Sequence, residues 1–114
     1  MSTNDPTIKD YIDADLRGAN LDRVIFSGDF TSANLTGCDL SGRDLSGCNL
    51  QFAQLTEAKL AGANLTKAVL FGAGLRDADL YRADLYQANL KEANLRHASL
   101  RFADLTEAKL TGAT

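Results

Sequence analysis

The hydrophobic residues of this chain follow a period of five. A leucine occupies every fifth position from Leu35 to Leu110. If that leucine is position i, Ala or Cys stands at i−2 in nearly every repeat, and Asp or Asn stands at i−1 in most. The two positions after the leucine are mostly Thr, Ser, Gly, Lys, Arg or Glu. A short and regular repeat is typical of a solenoid, in which each unit packs on its neighbours.

Neither a helix nor an unbroken strand accounts for this period. In an α-helix, five residues advance the chain by about 500°, so successive leucines would lie about 140° apart and cover every side. In a strand, side chains alternate between two faces, so an odd period moves each leucine to the opposite face. Both conflicts disappear if the chain turns a corner in every repeat, with positions i−2 and i pointing inward. The pattern therefore predicts an all-β solenoid with polar corners.

The corner positions carry residues that suit tight turns. Asp or Asn at i−1 can accept hydrogen bonds from nearby backbone N–H groups. Glycine at i+2, as at Gly37 and Gly62, supplies backbone freedom. Inside each repeat there is room for one large side chain, which explains the small residue beside each leucine.

Units such as Ala78-Asp79-Leu80 and Ala83-Asp84-Leu85 resemble the pentapeptide-repeat family, whose consensus is A(D/N)LXX. The resemblance extends over nearly the whole chain. It implies a right-handed quadrilateral β-helix, in which four repeats form one coil and inward residues twenty apart stack. We therefore expect about five coils over residues 14–114, or about 24 Å at the spacing of paired strands.

The residues before the repeats predict a cap. Asp5 and Pro6 suit the N-cap and first position of a helix. Three apolar residues at helical spacing follow: Ile8, Tyr11 and Ile12. We expect a short helical cap over residues 1–13, because the end of a solenoid otherwise exposes its core and unpaired strand edge. A frayed tail is the alternative.

The first coil departs from the period. Phe26 and Phe30 take the leucine position but lie only four residues apart. One residue is therefore missing from the register, and we expect a tightened corner near Ser27 and Gly28.

Composition limits the classes of protein. The chain has 114 residues, a length that suits one domain, and its net charge is −3. It has no apolar run that resembles a signal peptide or a transmembrane helix. The two cysteines are too few for a disulfide scaffold. We expect a cytoplasmic protein without a membrane partner.

Three residues at i−2 have a reactive or charged side chain in place of alanine, so a chemical role has to be considered for each. Cys38 and Cys48 fall on opposite walls of one coil, and we interpret them as buried thiols in place of alanine. Arg43 is the clearest anomaly, because a buried unpaired guanidinium is costly. Either the wall bulges there or the side chain extends outward to a carboxylate. Structural accommodation is favoured over a binding role.

No catalytic constellation is present in the sequence, so we expect a protein that is not an enzyme and has no metal, cofactor or small-molecule substrate. His97 is the only histidine. The hypothesis that remains is a non-catalytic protein that presents its surface to an unknown protein partner. Outward apolar side chains and neighbouring arginines form the candidate surface: Phe52, Val69, Phe71, Tyr81, Arg82, Tyr86, Arg101 and Phe102. Stacked surface side chains that only stiffen the walls are the alternative.

The resemblance also implies two further possibilities. Related proteins dimerise through the C-terminal coil, so we expect a homodimer here. Some relatives are acidic mimics of duplex DNA that bind DNA gyrase and confer quinolone resistance. Charge argues against that function, because about 24 Å of duplex carries roughly 14 negative charges and this chain has a net −3. The C-terminal half, residues 58–114, carries six acidic and eight basic residues. We expect no direct binding of nucleic acid.

Overall fold

The computed structural model describes residues 10–22, 24 and 26–114. Within these residues there is no helix, and the extended segments are so short that each makes only isolated parallel bridges. Two-residue turns separate the segments. No helix within this part of the chain is long and apolar enough to cross a membrane.

The bridges form four columns, which are the four walls of a square solenoid. We number the walls in chain order and give each corner the number of the wall before it. Wall 1 contains Asp10, Asp29, Asn49, Val69, Asn89 and Lys109; wall 2 contains Asp15, Asn34, Gln54, Gly74 and Asn94; wall 3 contains Asp39, Lys59, Asp79 and Ser99; wall 4 contains Asp44, Asn64, Asp84 and Asp104. From Asp29 onward every bridge joins residues twenty apart, so four repeats make one coil.

Backbone hydrogen bonds between coils follow one rule. The N–H of the leucine donates to the coil above, as from Leu35 to the Gln54 carbonyl at 2.7 Å. The N–H at i−1 donates to the coil below, as from Gln54 to the Ala33 carbonyl at 2.9 Å. The paired edges of successive coils therefore satisfy one another along the axis of the solenoid.

Each corner is closed by the residues that the sequence pattern placed there. The N–H after the turn donates back across it, as from Cys38 to the Leu35 carbonyl at 3.0 Å. Where i−1 is Asp or Asn, its side chain accepts the N–H at i+1, as Asp79 does from Tyr81 at 3.0 Å. The residue at i+2 has a positive φ, which glycine adopts without cost and other residues adopt at about 1 kcal/mol. Asp and Asn at i−1 are therefore turn-forming residues.

The core is a stack of leucines and alanines, as the period predicted. Leu40, Leu60 and Leu80 lie above one another on wall 3 and have no exposed surface. The alanines at i−2 are equally buried through the middle coils. Toward the C-terminal end the leucines become half-buried, and Leu110 is 42% exposed.

The first coil differs from the others in its register. Asp10 pairs with Asp29 and Asp15 pairs with Asn34, each at a spacing of nineteen. This confirms the missing residue. The turn contains Phe26 and Ser27 and is followed by a bend at Gly28, so it begins one residue earlier than expected.

The predicted helical cap lies mainly outside the described residues, in residues 1–9. At its other end the expectation was wrong. Asp10 already pairs in wall 1, and Ile12 and Asp13 form a turn of the repeat type rather than a turn of helix. Tyr11 lies between them and stacks on Phe30, with ring centroids 4.6 Å apart.

Candidate interaction surface

Four residues of corner 3 form one continuous cluster, which we call the aromatic–arginine corner: Tyr81, Arg82, Arg101 and Phe102. The rings of Tyr81 and Phe102 meet edge to face, with centroids 5.8 Å apart. The Arg82 guanidinium lies 5.3 Å from the centroid of the Tyr81 ring and 5.8 Å from that of Phe102. Arg101 lies 5.5 Å from the Phe102 centroid on the same corner. Phe102 is 69% exposed, so the cluster faces solvent.

A second aromatic pair occupies corner 1 in the middle coils. Phe52 and Phe71 are nineteen residues apart in the sequence and therefore lie on adjacent coils, where their rings meet edge to face with centroids 5.6 Å apart. Phe52 is 51% exposed, and its ring covers Gly72, where an added Cβ would lie 2.6 Å from two ring carbons. Val69 is half-buried on wall 1, two residues before Phe71. Among the described residues, no arginine guanidinium lies over either ring of this pair, unlike the rings of Tyr81 and Phe102.

The candidate surface is therefore divided among different corners. Corners 1 and 3 are diagonally opposite on the square, so Phe52 and Phe71 are separated from the aromatic–arginine corner. Tyr86 lies at corner 4, one corner further along the chain than Tyr81. There the carboxylate of Glu107, from the coil above, raises the pKa of the Tyr86 hydroxyl because it favours the protonated form. The structure does not bring the eight residues into one patch.

Arg43 extends outward and down toward the first coil. One guanidinium nitrogen lies 3.2 Å from Asp22 Oδ1, and the other contacts the Leu21 carbonyl at 3.5 Å. The guanidinium also lies 5.9 Å from the centroid of the Phe26 ring. Above Arg43 the ladder is regular, since its carbonyl accepts the Asn64 N–H at 2.9 Å. Of the two predicted accommodations, the outward path to a carboxylate is the one observed.

Beside Arg43, wall 3 contains a feature that the sequence did not indicate. Higher on wall 3 the i−1 residue pairs with the coil below, as Lys59 does with Asp39, but Asp39 makes no bridge to Asn20 and no backbone hydrogen bond to Ala19 or Leu21. The gap opens as a groove of about 470 Å³. Asp39 itself has the repeat consensus, so no residue type marked the break in advance.

The two cysteines are free and buried, as expected. Burial raises the pKa of Cys48 to about 12 and also raises the pKa of Cys38. Cys38 Sγ lies 3.4 Å from the Leu16 carbonyl and donates to it from the edge of the groove. A thiol with a raised pKa holds little thiolate at neutral pH, so these side chains are poor nucleophiles. The described residues contain no group of three or more His, Cys, Asp or Glu that could hold a metal ion.

Comparison with known families identifies the repeat. The family model for pentapeptide repeats matches residues 29–60, 48–87 and 78–114, in 8 copies. This chain belongs to the pentapeptide-repeat family. The fold is accordingly the right-handed β-helix of that family, and its four walls agree with that assignment.

Solved pentapeptide-repeat structures are similar to this chain over most of its length. Rfr23 from the cyanobacterium Cyanothece 51142 is 43% identical, with a TM-score of 0.75, over 75% of this chain and 58% of that one. A pentapeptide-repeat protein of the Arabidopsis thaliana thylakoid lumen is 42% identical, with a TM-score of 0.67, over 68% of this chain and 54% of that one. HetL from Nostoc sp. strain PCC 7120 is a protein involved in the regulation of heterocyst differentiation. It is 38% identical, with a TM-score of 0.62, over 90% of this chain and 51% of that one.

The chain thus spans between 51% and 58% of the length of these three structures. A comparison with curated protein sequences found no match.

Proposed function

We propose that this pentapeptide-repeat protein is a non-catalytic interaction module that presents the corners of its solenoid to a protein partner. The observation that carries the proposal is the exposure of large aromatic rings at corners 1 and 3. Phe52 and Phe102 are each more than half exposed, although most corner residues are small or polar. Exposed aromatic side chains supply large contact area, and they are enriched where proteins bind one another.

The solenoid holds these rings in fixed positions. Phe52 and Phe102 both have a φ of 59°. The Phe52 N–H donates to the Phe71 carbonyl at 2.9 Å, and in the turn of Phe102 the Arg101 carbonyl accepts the Arg82 N–H at 2.9 Å. A side chain on such a turn loses little freedom when a partner binds, so less of the binding energy is spent on ordering. A surface of this kind suits recognition by shape. HetL is described as involved in the regulation of differentiation, and a regulatory role is compatible with a protein that works by binding others.

The same proposal includes the finer architecture. We propose about five coils, supported by the five bridges that link Asp10 to Lys109 along wall 1. A cap over the first coil, formed by residues before Asp10, and a cytoplasmic location remain proposals from the sequence.

Affinity capture with matched surface variants tests the interaction. The full chain is immobilised and exposed to extract of its source organism, in parallel with Phe71→Glu, Tyr81→Glu and Thr56→Glu. All three substitutions place a carboxylate at position i+1 of a corner, but Thr56 lies at corner 2, away from the aromatic rings. We expect a partner that binds the wild type and Thr56→Glu and is lost with Phe71→Glu or Tyr81→Glu. Equal recovery on all four proteins would contradict the assignment of the surface.

A homodimer is a separate proposal, and it rests on the leucines toward the C-terminal end. Leu110 is 42% exposed, whereas the leucines of the middle coils are fully buried. A two-fold contact through this end would cover them and pair the upper backbone edge. Sedimentation equilibrium at micromolar concentration should give twice the monomer mass of 12.2 kDa. Loss of the dimer in Leu110→Glu but not in Phe102→Glu would place the contact on the edge, and a monomer at all concentrations would exclude it.

A further inference from the structure

The two guanidinium groups of the aromatic–arginine corner have no acidic partner within the part of the chain that the structure describes. Three other arginines there form ion pairs with aspartates, namely Arg17 with Asp15, Arg43 with Asp22 and Arg76 with Asp77. Arg82 and Arg101 are exposed, form no ion pair with the described residues and donate no side-chain hydrogen bond to them. Their guanidinium carbons lie over aromatic rings instead.

Asp79 and Asp84, the acidic residues on either side of Arg82 in the sequence, each accept a backbone N–H in their own turn, and Asp84 accepts that of Tyr86 with its Oδ1 at 3.0 Å. Asp79 accepts the backbone N–H of Tyr81 with its Oδ1 at 3.0 Å and forms no ion pair with Arg82. It serves the turn, like the Asp and Asn residues at the same position in other repeats. The positive charge of this corner is therefore not neutralised locally, on a chain whose net charge is −3.

The backbone beneath the cluster is fixed from both sides. The Arg82 N–H donates to the Arg101 carbonyl at 2.9 Å, and the Tyr81 carbonyl accepts the Gly62 N–H at 2.8 Å. Arg82 is held at a φ of 58°. Contact with the rings restricts the guanidinium groups further, and both arginine side chains are exposed, so their donors are accessible to a partner. The corner thus presents two ordered guanidinium groups, of Arg82 and Arg101, beside the aromatic rings of Tyr81 and Phe102.

We propose that the aromatic–arginine corner binds an acidic segment of the partner protein, in which carboxylates pair with Arg82 and Arg101 and an apolar side chain packs on Tyr81 and Phe102. A guanidinium presents its donors in a fork that matches a carboxylate and binds it through two parallel hydrogen bonds. This inference rests on the proposed interaction function and adds the chemistry of the partner.

Nucleic acid fits this corner less well than a short acidic segment. Affinity for a nucleic acid grows with the number of phosphates that are neutralised, and this corner offers two cations. Next along the chain, wall 4 carries Asp84 and Asp104, and corner 4 carries Glu107. A polyanion that extends from corner 3 over wall 4 would meet repulsion from these carboxylates, whereas a segment of a few residues on corner 3 would not.

A peptide titration on the full chain tests the proposal. The probe is a fluorescein-labelled peptide of alternating Glu and Leu, and its control replaces every Glu by Gln. Fluorescence anisotropy measures binding to the wild type, to Arg82→Gln/Arg101→Gln, to Arg82→Lys/Arg101→Lys and to Arg76→Gln/Arg96→Gln. The two glutamine variants remove the same charge, and Arg76 and Arg96 are exposed residues of corner 2. Any difference between them reports position rather than net charge.

We expect the Glu peptide to bind the wild type and the corner 2 variant equally. Loss of both corner 3 arginines should weaken binding about tenfold, which is about 1.4 kcal/mol and reasonable for two exposed ion pairs. The lysine variant should lie between them, because it keeps the charge but loses the fork. Circular dichroism and the unfolding midpoint confirm that all variants are folded.

Three outcomes would overturn the proposal. The first is equal binding of the Gln peptide, and the second is unchanged binding to Arg82→Gln/Arg101→Gln. The third is a chain dimer whose dissociation constant changes with these arginines, since the corner would then contact a second copy. If the captured partner requires Tyr81 but not the arginines, the interaction function stands and only the acidic chemistry is wrong. If capture is unaffected by every corner variant, the interaction surface itself is wrong.

Discussion

The middle coils and the first coil are built from nearly the same repeat, yet they differ in register, in the burial of the inward leucines and in the continuity of wall 3. In the middle coils the bridges keep a spacing of twenty, and the inward leucines have no exposed surface. In the first coil the spacing is nineteen, Leu16 is half-buried, and wall 3 is open between Asn20 and Asp39. The repeat pattern alone therefore does not set the geometry of a coil. The last coil keeps the spacing of twenty, as between Asn89 and Lys109, so the irregular register belongs to the first coil and its missing residue.

The first coil is stabilised by contacts that the repeat does not provide. Tyr11, Phe30 and Phe26 form a continuous aromatic stack, with centroid distances of 4.6 and 5.5 Å. Arg43 of the second coil closes over the edge of this stack and pairs with Asp22. Large aromatic residues thus fill the end of the core, where the narrow Leu and Ala pattern would leave it open.

The largest effect that separates the two regions should come from a carboxylate at the leucine position. Leu80→Asp places a charge in the fully buried stack, which should cost about 4 kcal/mol or more of a total stability of about 5–15 kcal/mol. Leu16→Asp should lower the free energy of unfolding far less, because Leu16 is half-buried and part of its side chain is exposed to solvent. Urea unfolding followed by circular dichroism measures both. Equal destabilisation would show that the first coil is as well packed as the middle ones.

The aromatic stack gives the next largest effect. Phe30 has no exposed surface and contacts the rings on both sides. Phe30→Ala should therefore cost about 3–5 kcal/mol. The matched control is Phe71→Ala, which removes the same side chain from a partly exposed corner and should cost about 1 kcal/mol. If Phe71→Ala proved the more damaging, the first coil would not depend on its aromatic residues.

The features that sequence reasoning predicted well are those that repeat. The period of five that places Leu80 in the core places Leu60 and Leu40 there as well. The same period argued against an α-helix and against an unbroken strand. The spacing of Phe26 and Phe30 revealed the missing residue for the same reason, because it breaks a regular pattern. The contact between Phe52 and Phe71 followed from the twenty-residue coil.

The features that could not be predicted depend on local geometry at single positions. The length of the Arg43 side chain did not show whether it would reach Asp22 or distort the wall. Asp39 has the consensus sequence at the place where the ladder opens. The separation of Tyr86 from Tyr81, by contrast, follows from the square coil, because five residues along the chain move a side chain to the next corner.

A smaller effect on stability should distinguish Gly72, which the Phe52 ring covers, from Gly62, which no side chain covers. Gly62→Ala and Gly72→Ala both force alanine into a left-handed turn, at φ values of 68° and 65°, which should cost about 1 kcal/mol each. Nothing lies within 4 Å of an added Cβ at Gly62, whereas at Gly72 it would meet the Phe52 ring at 2.6 Å. Gly72→Ala should cost about 1 kcal/mol more, because the ring must leave its edge contact with Phe71.

Thermal unfolding of a double-mutant cycle checks this corner. In a Phe52→Ala background the two glycine substitutions should become equal in cost, since the three atoms nearest to an added Cβ at Gly72 all belong to the Phe52 ring. A difference that persists in that background would mean that the backbone, and not the ring of Phe52, sets the cost at Gly72.

The smallest effect concerns the turn aspartates and again separates the first coil from its neighbour. Hydrogen bonds from the Arg17 side chain and N–H lower the pKa of Asp15 from 3.8 to about 2, and the Ser46 hydroxyl and N–H lower the pKa of Asp44. A carboxyl whose pKa is lower in the folded chain stabilises it above the unfolded value of about 4. That contribution is lost as the pH falls through the folded value, so stability should decline below pH 4, toward about 2 for Asp15.

The two carboxyls should respond differently to their partners and to salt, and NMR titration of each carboxyl measures this. Arg17→Gln should raise the pKa of Asp15 toward 3.8 and leave Asp44 unchanged, and Ser46→Ala should do the reverse. Salt should raise the pKa of Asp15, because its partner is an exposed cation 2.7 Å away. Asp44 depends on a neutral hydroxyl at 2.7 Å and should respond much less. Equal responses to salt would show that net charge, rather than the bonds within each turn, holds these carboxyls ionised.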